Sequence, residues 1–571
     1  MSSYPVSPML ASDAAGGAGW PRDLPGGGMV AIRVADLACP VRRALREGDR
    51  TALTAAGTGR IRSGDLVVFC KPVVIAPAVV RRDGRVQAGG HPADHARLGV
   101  LEQQLDEMTG QHDTIGQVAV QVKLAGKVKG TCRRSMTTAL MLRAVLLMAV
   151  MPEADYTAVM TALLGDLAGV PWHIPFAVPT ATVLSTWRKA AGSEPVLRLQ
   201  EMTLAASAAE HEARDYRAVP GLDLDVGAVD GTLTRTPDTP ANRAAYGSTG
   251  TGDDSSPYPQ LRDLLVSDAS TRGTFAVLTG PSGGDKAEAE QKLLDRALAE
   301  YPRVFTKGRL WVLDRNFPGV ARIKKMISLT HVLIRLKSDI PVRRTGPFLP
   351  DGSYLAEVSG GGETVRMRVI EYHVTVEGQD VPEMFCLVTD LEDWRAYPAC
   401  VLAGVYKWRW DGSETALREA KSAIRGAGPS TGPMFRSQSP DLVRQEHAAW
   451  VTAAELVRAA ARTATWPAAP AGKGRRAGLP VCPREISFTA ARRAAVASVR
   501  HGTATASLPA AVTAAARDAA LARIARCRIT VDRDRHRARE TKARDGFRHA
   551  RRDITTRAAR AEISVCGLLA A

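Results

Sequence analysis

The sequence predicts a mixed α/β protein in which a helical N-terminal region precedes a sheet-based core, and a β-rich segment interrupts that core. Three observations predict it. Residues from about 96 to 215 repeat apolar positions at spacings of three and four, the helix period. From about 220 the period falls to two, and strand-like runs then alternate with helix-like ones. Between about 338 and 397, β-branched segments such as "ETVRMRVIEYHVTVEG" and "EMFCLVTDL" are separated by Gly/Pro-rich turns.

Bulk properties set the frame. At 571 residues the chain is too long for one ordinary core, and roughly 100–200 residues per domain suggests about three or four modules. Lys and Arg number 76 against 59 Asp and Glu, a net charge of +17. Such an excess suits a polyanion such as DNA, RNA or an acidic membrane, and equally a basic protein from a GC-rich genome. The 8 cysteines form no Cys-x-x-Cys pair, which argues against a zinc ribbon and suggests free thiols in a reducing cytoplasm. His91 and His95 stand four apart without a second ligand pair and read as loop residues. The N-terminus lacks a signal-peptide pattern. The longest apolar run, Thr137 to Met151, is interrupted by Arg143 and falls short of the roughly 20 residues a membrane span needs, so a buried helix is expected.

Taken in order, residues 1–95 form a Gly/Pro/Arg-rich extension to which no fold can be assigned. Residues 96–215 predict helices at "HARLGVLEQQLDEM", at the 137–151 run, and at "EADYTAVMTALLGDLAG", "VPTATVLSTWRKAAG" and "SEPVLRLQEMTLAASAAEH". The last begins with Ser193 as cap and Pro195 in the first turn. With Arg188 and Lys189 exposed, these short helices suit either a helix-turn-helix reader or a plain bundle. Next come three strands, "LDLDVGAVDGTLTRT", "QLRDLLVSDAS" and "GTFAVLTG", then helix, strand, helix and strand at "DKAEAEQKLLDRALAEY", "RLWVLDRNF", "GVARIKKMIS" and "HVLIRLK". That order describes a mixed sheet. The C-terminal region is Ala/Arg-rich and mostly helical until the basic run "CRITVDRDRHRARETKARDGFRHARRD", a candidate phosphate binder or a solvated tail.

Two aspartates draw notice. Asp230 shares parity with Leu222, Leu224, Val226 and Ala228, so it extends the apolar face of its strand. A carboxylate there needs a partner, because an unpaired buried charge costs several kcal/mol or shifts its pKa. Asp314 likewise ends an apolar strand, and a divalent cation would satisfy both if the strands are neighbours. A phosphate-binding loop at "TGPSGGDKAEAE" is disfavoured: Asp285 stands before Lys286, and Ala287 replaces the hydroxyl that magnesium needs. In "YKWRWDGSETALREAK", Asp411 and Glu414 have the spacing of a capping box, with a helix beginning near Glu414. Glu414, Arg418 and Lys421 then fall on one stripe, either as surface ion pairs or as groups facing the two aspartates.

Four stretches together resemble the DDE transposases of the insertion-sequence-four group. "VDGTLTRTPDTPANRAAYG" is similar to the block around that family's first aspartate and "LWVLDRNFPG" to the block around its second. "YKWRWDGSETALREAK" resembles the signature Tyr-x2-Arg-x3-Glu-x6-Lys, and "PEADYTAVMTALL" with "VPTATVLSTWRKAAGSEP" resembles the helical N-terminal domain. The resemblance covers about 100–450. The signature carries over as Tyr406, Arg409, Glu414 and Lys421, with one departure: four residues, not three, separate Arg409 from Glu414. Family spacing lands on Ser413, so the extra residue is placed in "DGS".

The resemblance implies an RNase H-like core at 216–337 and 398–450, split by the insertion at 338–397, with a helical DNA-binding domain at 96–215 and a basic C-terminal region at 451–571. It implies a catalytic triad of Asp230, Asp314 and Glu414 holding two Mg²⁺ ions, or Mn²⁺, with Tyr406, Arg409 and Lys421 on DNA phosphates. The expected activity is cleavage of insertion-sequence ends and joining of the 3′-OH to target DNA, by a cytoplasmic homodimer bridging two double-stranded ends. Relatives flip a base onto an aromatic, but no motif assigns Trp394, the tryptophan of the insertion, to that role. Two further classes are a catalytically inactive DNA-binding remnant and a metal-dependent nuclease without strand transfer.

Overall fold

A computed structural model describes residues 30–33, 66–69, 79–80, 86–87, 138–165, 178–213, 222–250, 256–284, 287–376, 383–421, 434–465, 482–504, 510–529 and 561–568. The helix expected at "HARLGVLEQQLDEM", the His91/His95 pair, Asp285 and Lys286, and most of the basic run after Cys527 lie outside these residues. The chain divides into two compact units. One comprises 1–203, 444–456 and 492–523, and the other 204–443, 457–491 and 524–571.

In the first unit, β1 (Val30–Arg33), β2 (Leu66–Phe69), β3 (Val79–Val80) and β4 (Val86–Gln87) form a four-stranded sheet in sequence order, in the segment that resisted assignment. Each neighbouring pair is antiparallel. Three helices follow: α1 (Thr138–Val150), α2 (Tyr156–Leu164) and α3 (Ala181–Ala191). Met141 to Ala149 of α1 are buried on every side, as its apolar run requires. Asp155 caps α2, its Oδ1 accepting the Ala158 N–H at 2.7 Å. The helix α4 (Glu194–Ala213) starts after Ser193, whose carbonyl accepts the first turn's N–H groups of Val196 and Leu197.

The expectation of an exposed Arg188 is overturned. Arg188 is 1% exposed; its Nε donates to Gln445 Oε1 at 2.7 Å, another nitrogen bonds the Tyr156 hydroxyl, and its guanidinium lies over the Tyr156 ring. The reason is periodicity. Leu184, Trp187, Arg188 and Ala191 are the buried stripe of α3, and a residue on that stripe points inward whatever its charge. Lys189, one position on, is exposed.

The second unit is built on β5 (Asp225–Arg235), α5 (Pro240–Tyr246), β6 (Gln260–Asp268), β7 (Thr274–Pro281), α6 (Glu290–Glu300), β8 (Arg309–Leu313), α7 (Val320–Leu329) and β9 (His331–Arg335). Then come β10 (Val342–Phe348), β11 (Tyr354–Gly360), β12 (Glu363–Val376), β13 (Glu383–Thr389), α8 (Ala399–Tyr406), a π turn (Trp410–Glu414) and α9 (Thr415–Glu419). Farther along the chain, α10 (Pro440–Thr465), α11 (Phe488–Ala504) and α12 (Ala510–Arg526) divide between the two units, and β14 (Ala561–Val565) belongs to the second. The strands make one ten-stranded sheet, ordered β10-β11-β12-β13-β9-β8-β5-β6-β7, with β14 on β12. Strands β5, β6 and β7 are antiparallel neighbours, whereas β8 pairs parallel with both β5 and β9. This is the RNase H-like strand arrangement. The β-rich insertion is no separate layer: β13 pairs antiparallel with β9, so β10–β13 continue the core sheet. Strand β14 comes from a tail read as basic and helical, and pairs with β12 from Tyr372 to Val376.

The pleat sorts side chains to two faces. On one, Val229, Trp311 and Leu313 pack with Leu293, Leu294 and Leu298 of α6 and Ile323 and Met326 of α7. On the other, Leu224, Val226, Leu310 and Val312 pack with Leu402, Val405 and Tyr406 of α8. Burial of this kind is worth about 25 cal/mol per Å² of apolar surface removed from water. Asp230 and Asp314 have the even parity of the second set, so both continue the face that α8 covers. Among the described residues no helix is long and apolar enough to cross a membrane.

Candidate active site

Sheet register brings the two aspartates together. In the parallel pairing of β5 and β8, Ala228 stands beside Val312, and two residues further along each strand are Asp230 and Asp314. Strand β8 ends at Leu313 while β5 runs on to Arg235, which leaves a notch beside β5 at the C-terminal end of β8. Such ends are where open α/β sheets receive ligands. Asp230 Oδ1 accepts the Gly231 N–H at 3.0 Å, and Asp314 Oδ1 accepts the Asn316 N–H at 2.7 Å, which holds each carboxylate to its own chain. Burial raises the Asp230 carboxyl above its ordinary range; nearby Arg409 opposes this, and the Asp314 charge adds to it.

The segment bearing the signature lies over this pair. Arg409 is 8% exposed, its Nη1 is 3.7 Å from Asp230 Oδ2, and its Nε is buried with no hydrogen-bond partner among the described residues. Tyr406 is buried and hydrogen-bonds Arg409; burial pushes its phenol up to about 12. Lys421 Nζ bonds Thr232 Oγ1 and donates to the Leu233 carbonyl at 3.2 Å, on β5 just beyond Asp230. Thus Arg409 and Lys421 flank Asp230, whereas Tyr406 sits behind Arg409 within the core.

Glu414 is exposed, and Ser413 is the residue of this turn that meets Asp230, with Oγ 3.3 Å from Oδ2. The capping-box reading is overturned. Arg409 (φ −51°, ψ −46°) and Glu414 (φ −66°, ψ −41°) are already helical, so no helix starts here. Instead the Thr415 N–H donates to the Trp410 carbonyl five residues back, a π turn that takes up one extra residue. It falls in the "DGS" stretch where the surplus residue was placed. Three contacts hold the segment down: Ser267 Oγ donates to the Gly412 carbonyl at 2.9 Å, Arg458 Nη2 to the Ala416 carbonyl at 2.8 Å, and Arg272 Nη1 to Glu419 Oε1 at 2.6 Å. Arg272 adopts φ 60°, a left-handed conformation costly for a non-glycine residue.

One acidic neighbour carried no signal in the sequence. Glu290, in the first turn of α6, reads as an ordinary acid complementing a helix dipole. Its carboxyl lies against Gly231, where a Cβ would come within 2.3 Å of Glu290 Cδ. Burial raises the Glu290 carboxyl; Arg262 opposes, and the charges of Asp230 and Asp314 add to the rise. Among the described residues no three acidic, His or Cys side chains are gathered closely enough to clasp a metal ion. Asp230 and Asp314 are hard oxygen donors of the kind a divalent cation takes, and among the described residues a third carboxylate is not gathered beside them.

No protein-family model matches the chain. Over 306 residues it is 26% identical to the transposase InsG of insertion sequence element IS4 from Escherichia coli (strain K12), a match covering 51% of this chain and 62% of that protein. The chain therefore spans less than two thirds of this relative's length. In structure it aligns with a piggyBac transposase synaptic complex with hairpin DNA at a TM-score of 0.36 and 11% identity, over 75% of this chain and 85% of that one, a likeness too weak to carry an argument. In sequence the chain is similar, over half its length, to a transposase of the insertion-sequence-four type, the group its motifs resemble.

Proposed function

We propose that the chain is a DNA transposase that cleaves the ends of an insertion sequence and joins the freed 3′-OH to target DNA. The observation that carries this reading is the register that sets Asp230 beside Asp314 beneath a helix presenting Arg409. Divalent Mg²⁺ or Mn²⁺, when bound by Asp230, Asp314 and Glu414, supplies charge stabilisation to the attacking and leaving oxygens. Arg409, held by Tyr406 behind it, sets a guanidinium beside Asp230 for a phosphate oxygen. Lys421 reaches the same strand and adds a second cation for the backbone. The helical region 96–215 serves end recognition, and two copies bridge two double-stranded ends as a homodimer. The net charge of +17 favours such a polyanionic partner.

A second reading has a specific observation in its favour. Ser413 occupies the position that family spacing reserves for the glutamate, as expected of a copy that binds DNA without cutting it. The test uses DNA carrying the short inverted repeats that flank the gene. Purified protein with Mg²⁺ cleaves it, and Asp314→Asn abolishes cleavage while sparing binding. Binding without cleavage by the unaltered protein selects the second reading. Cleavage that withstands Asp314→Asn overturns the site. Joining of precut ends to a target plasmid separates a transposase from a plain nuclease.

A further inference from the structure

The segment that carries Arg409 and Ser413 rests on the turn between β6 and β7. A Cβ at Gly412 would lie 2.8 Å from Ala269 Cα, and Arg272 Nη1 donates to Glu419 Oε1 at 2.6 Å. Arg458, which donates from Nη2 to the Ala416 carbonyl, reaches Thr274 Oγ1 from Nη1 at 3.0 Å. Arg272 holds the left-handed φ of 60°, so this turn needs support from elsewhere. Asp268 closes it: Oδ1 accepts the Thr271 N–H at 2.7 Å, and the Asp268 N–H donates to the Gly273 carbonyl at 2.8 Å. Behind it stands the buried His211, near the C-terminal end of α4, in the second unit. Gly273 makes room for the ring, since a Cβ there would lie 2.7 Å from His211 Cε1.

Hydrogen bonding decides the protonation of this ring. Nδ1 lies 2.7 Å from the Ser207 carbonyl oxygen, which can only accept, so Nδ1 carries a hydrogen. Nε2 lies 2.5 Å from Thr271 Oγ1. That hydroxyl accepts the Gly273 N–H at 3.1 Å and has one hydrogen to give, and Asp268 Oδ1 accepts it at 2.9 Å. Nε2 must then donate as well. With Nε2 bare, two acceptors would compete for one hydroxyl hydrogen, and one close contact would set lone pair against lone pair. The charges nearby agree. Asp268 Oδ1 is 3.8 Å from Nε2 and balances a cation there. Arg462 of α10 brings positive charge close by, donating to Ser207 Oγ at 3.3 Å, but Glu210 accepts from its Nε at 2.9 Å and offsets it. Phe275 of β7 meets the ring edge-on at 4.9 Å, with the Arg309 guanidinium over Phe275.

We infer that His211 is a positioning residue: as an imidazolium it fastens the turn at 268–273, and through Ala269 and Arg272 that turn seats the segment bearing Arg409 and Ser413 against β5. When the proton is lost, the Thr271 hydroxyl turns from Asp268 to Nε2, the turn loosens and the segment lifts. The segment is therefore seated at pH values where the imidazolium keeps its proton and unseated above them. The consequence for DNA cleavage rests on the proposed function, whereas the protonation and the seating do not.

The test is nitrogen NMR of the full chain labelled at its histidines, in which a ring nitrogen bearing hydrogen and a bare one resonate far apart. Loss of signals in His211→Gln assigns them, and Thr271→Val, which removes the partner of Nε2, assigns them by their shift if the first variant does not fold. At pH 7, where a histidine of ordinary value about 6.5 is mostly neutral, both His211 nitrogens carry hydrogen. A bare nitrogen there overturns the inference. Amide hydrogen exchange across residues 410–419 reads the seating. His211→Gln and Thr271→Val speed that exchange by about tenfold, and Thr271→Ser, which keeps the hydroxyl, restores it. Exchange at 410–419 that neither His211→Gln nor Thr271→Val changes, with circular dichroism showing both folded, overturns the positioning role. Absence of DNA cleavage by a chain that shows both signatures tells against the proposed function alone.

Discussion

Ser413 Oγ lies 3.3 Å from Asp230 Oδ2 and 2.8 Å from the Arg409 carbonyl, so a hydroxyl meets the first aspartate at the position four residues after Arg409. The π turn at Trp410–Glu414 holds the surplus residue and sets which side chain faces β5. Deleting Ser413 restores the three-residue gap between arginine and glutamate. The variant is expected to close the π turn into an ordinary α-helix, bring the glutamate against Asp230 and tighten Mn²⁺ binding by about tenfold. A crystal structure and an Mn²⁺ titration check it.

Gly412 permits the close seat of this turn. A Cβ at 412 would lie 2.8 Å from Ala269 Cα and 3.1 Å from Ala228 Cβ, one of them backbone and neither a flexible side-chain end. Gly412→Ala is expected to cost about 1–3 kcal/mol and to lift the turn from β5. Chemical denaturation measures the loss. A variant as stable as the parent would mean the turn is not seated as described.

Two buried acids make stability fall with pH. Asp230 and Glu290 both have carboxyls raised by burial, so the folded chain holds protons that the unfolded chain has released. Their contribution is therefore present below the ordinary carboxylate range and is lost as pH rises through the raised folded values. Asp230→Asn removes the charge and keeps the shape. It is expected to raise the melting temperature near pH 7 by roughly 2–4 °C, the shift that about 1 kcal/mol produces in a domain of 150–250 residues. The gain shrinks toward pH 4, and calorimetry across this range checks the sign.

Arg188 supports the first unit from inside. Replacing it with alanine leaves Gln445 Oε1 and the Tyr156 hydroxyl without a charged donor and opens a cavity. The expected cost is about 2–4 kcal/mol. Lys189→Ala, at an exposed position, is expected to stay within about 0.5 kcal/mol. Paired denaturation curves for the two variants separate a structural arginine from a surface one.

Much of the fold is legible in the chain because it depends on local periodicity. The alternation through Leu222, Leu224, Val226 and Ala228 marks both a strand and the face on which Asp230 lies, and "LWVLD" does the same for Asp314. The apolar run of α1, the strand-strand-strand-helix-strand-helix-strand order and the β-rich stretch before Ala399 follow from the same reasoning. Arg188 was legible too, since Leu184, Trp187 and Ala191 share its stripe, but its charge argued for the surface and packing overruled it. Other relationships required three dimensions. Glu290 of α6 packs its carboxyl against β5 at Gly231, which leaves room for it, and no local pattern marks that contact. β14 pairs with β12 across nearly 200 residues from a segment whose surroundings are basic. Whether Ser413 or Glu414 faces the first aspartate depends on the hydrogen bonding of a single turn against β5 and β6. Side-chain period is written in neighbouring residues, so the sequence by itself determined the core strands and helices from β5 to β13 and the sheet face on which Asp230 and Asp314 lie. Contacts between distant segments depend on how those faces pack, so only the tertiary structure decided which acids and cations share the notch.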